Sequence, residues 1–366
     1  DEALNELISH VGRRVEASEL PRLMDFAFLA LHGPGGEDGA IQGLLEWVGL
    51  PYSGSGVLPS ALGIDKIAQK RLMQAAGLAT PKFEVLSTEN ADVANASTLS
   101  TLGRYLGLPL VVKAPRQGSS IGVSIVRDGA DVAAFGDAID RALFRRAINR
   151  TDWEVLSEAE QLAWVRQLAD IREGVGLPVR AELLVDFTIQ EEIITHPEAL
   201  FNFINQHLGE NSRRGFKVEA FIVFTSFTGE TQVLVEQFVA GREFSCIVVE
   251  DEHGQPLALP PTEIVKGTEV FDYRAKYLPG LARKITPIDL PEADIERIRQ
   301  EAQRMFSTFG FEVYARLDGF IQEDGTIFLN DPNTTSGMLP ASFFFHQAAE
   351  IGLNPSQFLT YIIRTS

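Results

Sequence analysis

The sequence predicts an α/β (α+β) chain of more than one domain. Three observations lead there. Short apolar runs of strand length alternate with stretches of helical periodicity, glycine-rich turns stand where one gives way to the other, and 366 residues at roughly 150 per domain leave room for two to three domains. Residues 26–31 read as a buried strand running into the glycine-rich turn His32-Gly33-Pro34-Gly35-Gly36-Glu37-Asp38-Gly39. A helix follows, with Ile41, Leu44, Leu45 and Val48 on one face and Gly49 as its stop. A second turn, Ser53-Gly54-Ser55-Gly56, precedes one helical stretch from about Pro59 or Asp65 to Ala76, which Gly77 and Pro81 end. Leu110 to Ala114 is a short strand, followed by a Gly/Ser loop and a strand at Val123 to Val126. Residues 140–215 are mostly helical in pattern. Phe221 to Phe224 and Val233 to Phe238 read as strands around the turn Phe227-Thr228-Gly229-Glu230, and the tail alternates strand and helix.

Composition excludes several classes. With 45% hydrophobic and 22% charged residues the chain is neither disordered nor membrane-like, and its longest apolar run, residues 26–31, is far short of the roughly 18 residues a bilayer requires. The chain starts at Asp1, and no signal-peptide pattern is visible near it. The single cysteine, Cys246, lies in an apolar run and reads as a buried core thiol in a reducing, cytoplasmic setting. A net charge of −18 argues against nucleic acid or an anionic membrane as partner, although a few lysines in a cleft can still oppose that field for a phosphate ligand.

The most informative stretch is residues 314–333. Tyr314 to Phe320 and Thr326 to Asp331 read as strands around Asp324-Gly325, a favoured two-residue hairpin turn. Pairing across that turn sets Asp318 opposite Asp331 and Arg316 opposite Asn333, all on one face. Opposed carboxylates repel, and a cation between them removes the conflict. Asp, Asp and Asn offer only hard oxygen donors, which suit Mg²⁺ better than zinc or copper. The alternative is the solvated polar face of an ordinary hairpin, and Pro332 limits the ladder.

Lys113 ends its strand and is followed by Arg116-Gln117-Gly118-Ser119-Ser120-Ile121-Gly122. Such a loop lets backbone N–H groups approach a phosphate while the lysine neutralises its charge, though Gly/Ser hairpin loops are common and this is no Walker A sequence. Glu236 and Glu243 flank a strand end and a glycine turn, where they can accept hydrogen bonds from adenine or ribose or simply face solvent. Phe271 to Tyr277 with Pro279-Gly280 is a polar, aromatic loop that can close over a site or be an ordinary surface loop.

In order along the chain, His32-Gly-Pro-Gly-Gly-Glu-Asp-Gly39 with Gln42 to Glu46, Pro51 to Val57, Ser60-Ala61, Asp65-Lys66, Val112-Lys113, Gly118 to Gly122, Val235-Glu236, Gly241-Arg-Glu243, Ala275-Lys-Tyr277, Arg316-Leu-Asp318, Asn333-Thr334, Gly337-Met338 and Ser342 resemble the motifs of the D-alanine–D-alanine ligase family of the ATP-grasp superfamily. The resemblance covers about residues 26–126 and 233–355. It implies an ATP-grasp fold with a Rossmann-like N-terminal lobe (1–64), a central lobe (65–235) with a mostly helical insertion at about 145–230, and a C-terminal catalytic lobe (236–366).

It also implies ATP, two Mg²⁺ or Mn²⁺ ions, D-alanine, a homodimer and a cytoplasmic role in peptidoglycan precursor synthesis. Residue by residue, Lys66, Lys113, Gly118 and Ser120 would contact nucleotide phosphates and Lys276 the γ-phosphate. Glu236, Phe238 and Val239 would contact adenine and Glu243 the ribose. Ser119 and Tyr277 would link the loop to a lid. Asp318, Asp331 and Asn333 would bind metal, Arg316 and the N–H of Gly337 would stabilise an oxyanion, and His32, Glu37 and Ser342 would contact substrate.

Three departures stand out. Family members open with a strand and a glycine-rich turn carrying a substrate-binding glutamate, which nothing in Asp1 to Leu31 matches. Asp331 stands where glutamate is usual. About 100 residues separate Val126 from Leu234, where a strand–helix–strand return needs about 30. Ligation of another acceptor, such as D-lactate or a different amino acid, and a non-catalytic nucleotide-binding descendant are the alternatives. The joint presence of Lys113, Lys276, Arg316, Asp318 and Asn333 argues against the second.

Overall fold

The computed structural model describes residues 10–87, 93–185, 188–209, 221–227, 229–266 and 282–366. The chain divides into two units, one made of Pro81–Ala240 and Lys266–Arg283, the other of Asp1–Thr80, Gly241–Val265 and Lys284–Ser366.

The first of these holds β1 (Phe83–Ser87), β2 (Leu110–Lys113), β3 (Val123–Val126), β4 (Arg145–Asn149), β5 (Val179–Val185), β6 (Thr188–Ile194), β7 (Phe221–Ser226) and β8 (Gln232–Gln237). They form two antiparallel sheets, β1-β8-β2-β3 and β4-β7-β5-β6. Helices Ala96–Leu106 and Val132–Ala142 cover the first sheet. Leu99, Leu102 and Leu106 on one helix and Phe135, Ala138, Ile139 and Ala142 on the other recur at helical spacing and pack on Leu110, Val112, Val233 and Val235. Asn95 and Asp131 cap the two helices through the N–H groups of Thr98 and Ala134.

The second sheet belongs to a body with its own core. Trp153 is fully buried, edge-on to Trp164 and Phe201, above Leu200, Ile204 and Leu208. The expectation of mostly helix over 140–215 is therefore corrected. Helices Arg150–Glu154, Glu158–Ala169 and Pro197–Leu208 are present, but β4, β5 and β6 run between them. On β5 charged residues alternate with buried apolar ones, Arg180 (exposed) and Glu182 (half-buried) against Val179, Ala181 and Leu183. Nor do β7 and β8 pair with each other around Phe227 to Glu230. They belong to different sheets, and the chain crosses from one to the other at that turn, of which Thr228 lies outside the described residues.

The other unit is built on β9 (Arg242–Glu250), β10 (Pro256–Ala258), β11 (Thr262–Lys266), β12 (Ala282–Ile285), β13 (Tyr314–Ile321) and β14 (Ile327–Asn333), in the order β12-β11-β9-β13-β14 with β10 on β9. Glu243 to Val249 are all buried because both faces of β9 are covered. Phe244, Cys246 and Val248, with Ala315 and Leu317 of β13, meet Ile298, Ala302, Met305 and Phe309 of helix Glu292–Phe309. Ile247, Val249 and Tyr314 meet Phe344, Ala348, Phe358 and Ile362 of the two C-terminal helices, Phe343–Glu350 and Pro355–Thr365. Cys246 is the buried thiol expected, and burial pushes its pKa up to about 12.

Near the start of the chain, helix Ala40–Val48 ends at Gly49 (φ 72°), as its spacing predicts. Of the two starts expected for the helix to Ala76, the one at Asp65 holds: Lys66–Ala75 is one helix and Val57–Ile64 a separate one before it, because Asp65 turns extended and its carboxylate accepts from the N–H groups of Ile67 and Ala68. Residues 26–31 are not a strand. Among the described residues only Pro51 to Ser53 run beside them, giving one bridge, Ala27 to Tyr52, and Leu31 is 49% exposed. No described helix is long and apolar enough to cross a membrane.

Two of the three tryptophans sit in the body around β4–β7, while Trp47 is 88% exposed, so intrinsic fluorescence reports on that body. Trp153→Ala is expected to cost about 3–5 kcal/mol in a urea titration followed by Trp164 emission. A loss below about 1 kcal/mol would mean the body does not close on Trp153.

Candidate active site

In the β13–β14 hairpin Arg316 faces Asn333, Leu317 faces Pro332 and Asp318 faces Asp331, the pairing the sequence predicts. The route to it differs. The turn has three residues, Glu323 to Gly325, closed by Gln322 N–H to Thr326 O (2.9 Å), with Gly325 at φ 79°. That moves the register by one, so Phe320 faces Phe328. A bulge between Asp318 and Gly319 moves it back, Asn330 being the extra residue. A Cβ on Gly319 would stand 2.6 Å from Phe328 O and from the Phe244 ring, so the bulge requires glycine. Asn330 Oδ1 accepts a bond from Lys70 Nζ (3.1 Å), which also donates to Thr80 Oγ1 (2.7 Å). Lys70 is 1% exposed, so a buried ammonium pins the bulge.

The charges on this face are arranged around the opposed carboxylates. Arg316 Nε and Nη2 each lie 3.2 Å from an oxygen of Asp318, and Lys66 Nζ lies 3.5 Å from Asp331 Oδ1. Asn333 Nδ2 donates to Asp331 O (2.9 Å). Asp318 is 6% exposed, so its charge requires compensation. Two carboxylates and the Asn333 amide oxygen, all hard donors, fit Mg²⁺. Among the described residues no three His, Cys, Asp or Glu side chains gather for a metal, because the third donor here is an amide. The sequence reading missed Lys284, which gives no motif. Its Nζ donates to Ala341 O (2.8 Å) and lies 4.5 Å from the centre of the Phe343 ring; burial first, and Arg316 second, hold the ammonium below its ordinary pKa.

The segment after Asn333 carries buried hydroxyls that have no hydrogen-bond partner among the described residues: Thr334, Ser336 and Ser342. Ser342 is the N-cap of helix Phe343–Glu350, yet its side chain makes no capping bond. A Cβ on Gly337 would meet nothing within 4 Å, so the backbone there is open to approach. Unsatisfied buried polar groups are rare in native proteins and mark places where a ligand can complete them. Thr334 enters the sequence reading only as part of the Asn333-Thr334 motif, and Ser336 not at all.

His32 and Glu37 meet at the same segment. Glu37 Oε2 accepts from Gly33 N–H (2.6 Å), and its other oxygen receives Thr335 Oγ1 and lies 3.4 Å from His32 Nδ1. Burial pushes the Glu37 carboxyl up, but hydrogen bonds from His32, Thr335 and Gly33 outweigh it and hold the pKa below the ordinary carboxylate value. Glu37 thus ties the first glycine turn to Thr335.

In the other unit Lys113, at the end of β2, pairs with Glu236 of β8, both side chains nearly buried (11% and 3% exposed). The β2–β3 loop closes with Ala114 N–H to Gly122 O (3.1 Å) and Ile121 N–H to Gly118 O (3.0 Å). Ser119 and Ser120 are left-handed (φ 56° and 61°), a conformation rare in non-glycine residues and frequent where backbone N–H groups converge on an anion. Phe238 and Val239 follow β8, Phe238 N–H reaching Pro109 O at 3.4 Å. Glu243 is buried on β9, opposite Ile264 and Phe320. Lys276 and Tyr277 lie outside the described residues.

Comparisons with known proteins agree with this picture. Residues 72–161 and 218–364 match the family model for the C-terminus of D-ala D-ala ligases, and residues 5–55 match that for the N-terminus. The D-alanine--D-alanine ligase of Desulforudis audaxviator (strain MP104C) is 32% identical over 354 residues, which are 97% of this chain and 85% of that protein. That of Pelotomaculum thermopropionicum is 32% identical over 331 residues, 90% of this chain and 76% of that one. The solved structure of VanG D-Ala:D-Ser ligase from Enterococcus faecalis, 22% identical, has the same fold, with a TM-score of 0.62 over 97% of this chain and 74% of that one.

The Glu37 contacts carry a sign. The folded pKa lies below the unfolded one, so the stabilisation is present above the unfolded pKa and is lost as pH falls through the folded value. Glu37→Gln is expected to lower stability at pH 7 and to flatten the acid limb of a thermal-melt pH series. An unchanged acid limb would contradict this account of Glu37.

Proposed function

The chain belongs to the D-alanine–D-alanine ligase family, and from that premise we propose that it is an ADP-forming ligase that joins two D-alanines at the expense of ATP, in the synthesis of peptidoglycan precursors. The observation that carries the reading is the bulge-locked cluster of Arg316, Asp318, Asp331 and Asn333 beside Lys66. A carboxylate oxygen of the first D-alanine attacks the γ-phosphorus of ATP, the bond to the bridging oxygen breaks and ADP leaves. The amine of the second D-alanine then attacks the acyl carbon. The tetrahedral adduct expels phosphate, and the amine loses a proton as the amide forms.

Negative charge develops on oxygen in both steps, so donors at fixed positions do most of the work. Lys66, Lys113, Gly118, Ser120 and Lys276 contact the phosphates, Glu236, Phe238 and Val239 the adenine, and Glu243 the ribose. Ser119 and Tyr277 link the loop to the lid. Arg316 and the Gly337 N–H stabilise the adduct oxygen. Ser342, whose buried hydroxyl has no hydrogen-bond partner among the described residues, receives the carboxylate of the second substrate, and His32 and Glu37 order the side of the first. Asp318, Asp331 and Asn333 would hold Mg²⁺, which neutralises phosphate charge when bound. A cytoplasmic homodimer is the matching assembly.

Phosphate release from ATP and Mg²⁺, measured across D- and L-amino acids and D-lactate, tests the reading. D-alanine is expected to stimulate release most, with D-alanyl-D-alanine as product. Stimulation by no amino acid, with ATP still bound, would overturn it. Arg316→Ala is expected to keep ATP binding and lower kcat about 100- to 1,000-fold; equal loss of both would make Arg316 structural.

A further inference from the structure

The loop Gly118–Gly122 has no sequence-local reason to hold two consecutive serines in the left-handed region. What holds it comes from the other side of the unit. Glu230, at the exit of the body formed by β4–β7, receives three hydrogen bonds from Arg116: from the backbone N–H to Oε1 at 3.0 Å, from Nε to Oε2 at 3.1 Å and from Nη2 to Oε2 at 3.0 Å. The Glu230 side chain is 3% exposed, whereas that of Arg116 is 54% exposed, so the carboxylate is the fixed partner. Two guanidinium N–H groups converge on the one oxygen Oε2 and orient the guanidinium, and the third bond, to Oε1, fixes the backbone two residues before Gly118.

Packing ends at the same place. Ala114 belongs to the core of the β4–β7 body and Ile121 lies against it, although both are loop residues of the first sheet. A Cβ on Gly122 (φ 69°) would fall 2.7 Å from the Cβ of Ala114 and 3.1 Å from the Phe144 ring, so the loop sits directly on that body. The C-terminal family model leaves residues 162–217 of this body unmatched, while Arg116 and Glu230 lie in the stretches it matches, 72–161 and 218–364.

We propose that Glu230 is a positioning residue for the phosphate loop, and that the β4–β7 body sets the loop's geometry through it. The proposal rests on the reading of Gly118–Gly122 as the loop over the ATP phosphates. Glu230 touches neither substrate nor reacting atoms in this role; it acts through Arg116. Losing it frees the Arg116 guanidinium and backbone N–H, loosens the stem of the loop and weakens the hold on ATP. Recognition of D-alanine is untouched.

The test compares Glu230→Gln, Glu230→Ala, Arg116→Lys, Arg116→Ala and the double alanine variant in the full chain. Three quantities are read: the Kd for ATP with Mg²⁺, the KM values for ATP and D-alanine, and the Tm. Glu230→Ala and Arg116→Ala are each expected to raise the ATP Kd and KM about 10-fold, with the D-alanine KM within about twofold. The double variant should be no worse than the more severe single, because both break one interaction. Arg116→Lys, which keeps the charge but not the fork, should fall between. If Glu230→Ala does not fold, the isosteric Glu230→Gln carries the test.

An ATP Kd within twofold of wild type in folded Glu230 variants would overturn the proposal. So would effects that multiply in the double variant, or a parallel rise in the D-alanine KM. Wild type that binds ATP but ligates nothing would instead overturn the ligase reading, and the Kd comparison would still decide the role of Glu230.

Discussion

Everything at the candidate active site depends on one electrostatic conflict, the placement of Asp318 directly opposite Asp331 on paired strands. Like charges in that position destabilise a hairpin, and Asp318 is almost fully withdrawn from water. The chain meets the conflict with cations from its own sequence, Arg316 on Asp318 and Lys66 on Asp331. That arrangement concentrates positive charge in a protein with a net charge of −18.

The conflict exists only because the register is enforced, and the enforcement is distributed. A three-residue turn displaces the pairing, a bulge at Asn330 returns it, and the buried Lys70 ammonium holds the bulge. A side chain on Gly319 would meet Phe244 and Phe328 O, so its absence lets the bulge close. The Gly118–Gly122 loop shows the same economy: its left-handed serines are supported by Arg116 and Glu230, and by a neighbouring core into which Ala114 and Ile121 are built. In both places an irregular backbone shape is held by a buried charged group far away in sequence.

That distance explains what was legible. Helix Ala40–Val48, β2, β3 and the buried Cys246 are legible locally, the helix from its apolar spacing and the strands and the thiol from short apolar runs. The site cluster was legible too, but the two-residue Asp324-Gly325 turn and the absent bulge were compensating errors, and only their sum was right. Residues 26–31 failed as a strand because strand formation requires a neighbour, which no local pattern supplies. β4, β5 and β6 were missed because charged residues such as Arg145, Arg146, Arg180, Glu182, Glu191 and Glu192 interrupt their apolar positions, which masks a two-residue period among helices. Lys70, Glu230 and Lys284 carry no motif, and each matters only through a partner the fold delivers.

The central claim is that the opposed pair is a cation site. Titration of Mn²⁺ by electron paramagnetic resonance, with and without a non-hydrolysable ATP analogue, measures this without turnover. Asp318→Asn and Asp331→Asn are each expected to weaken Mn²⁺ binding about 10- to 100-fold while the fold persists by thermal melting. Wild-type Mn²⁺ affinity in both variants would contradict the account and leave the opposed carboxylates as a purely structural pair held by Arg316 and Lys66.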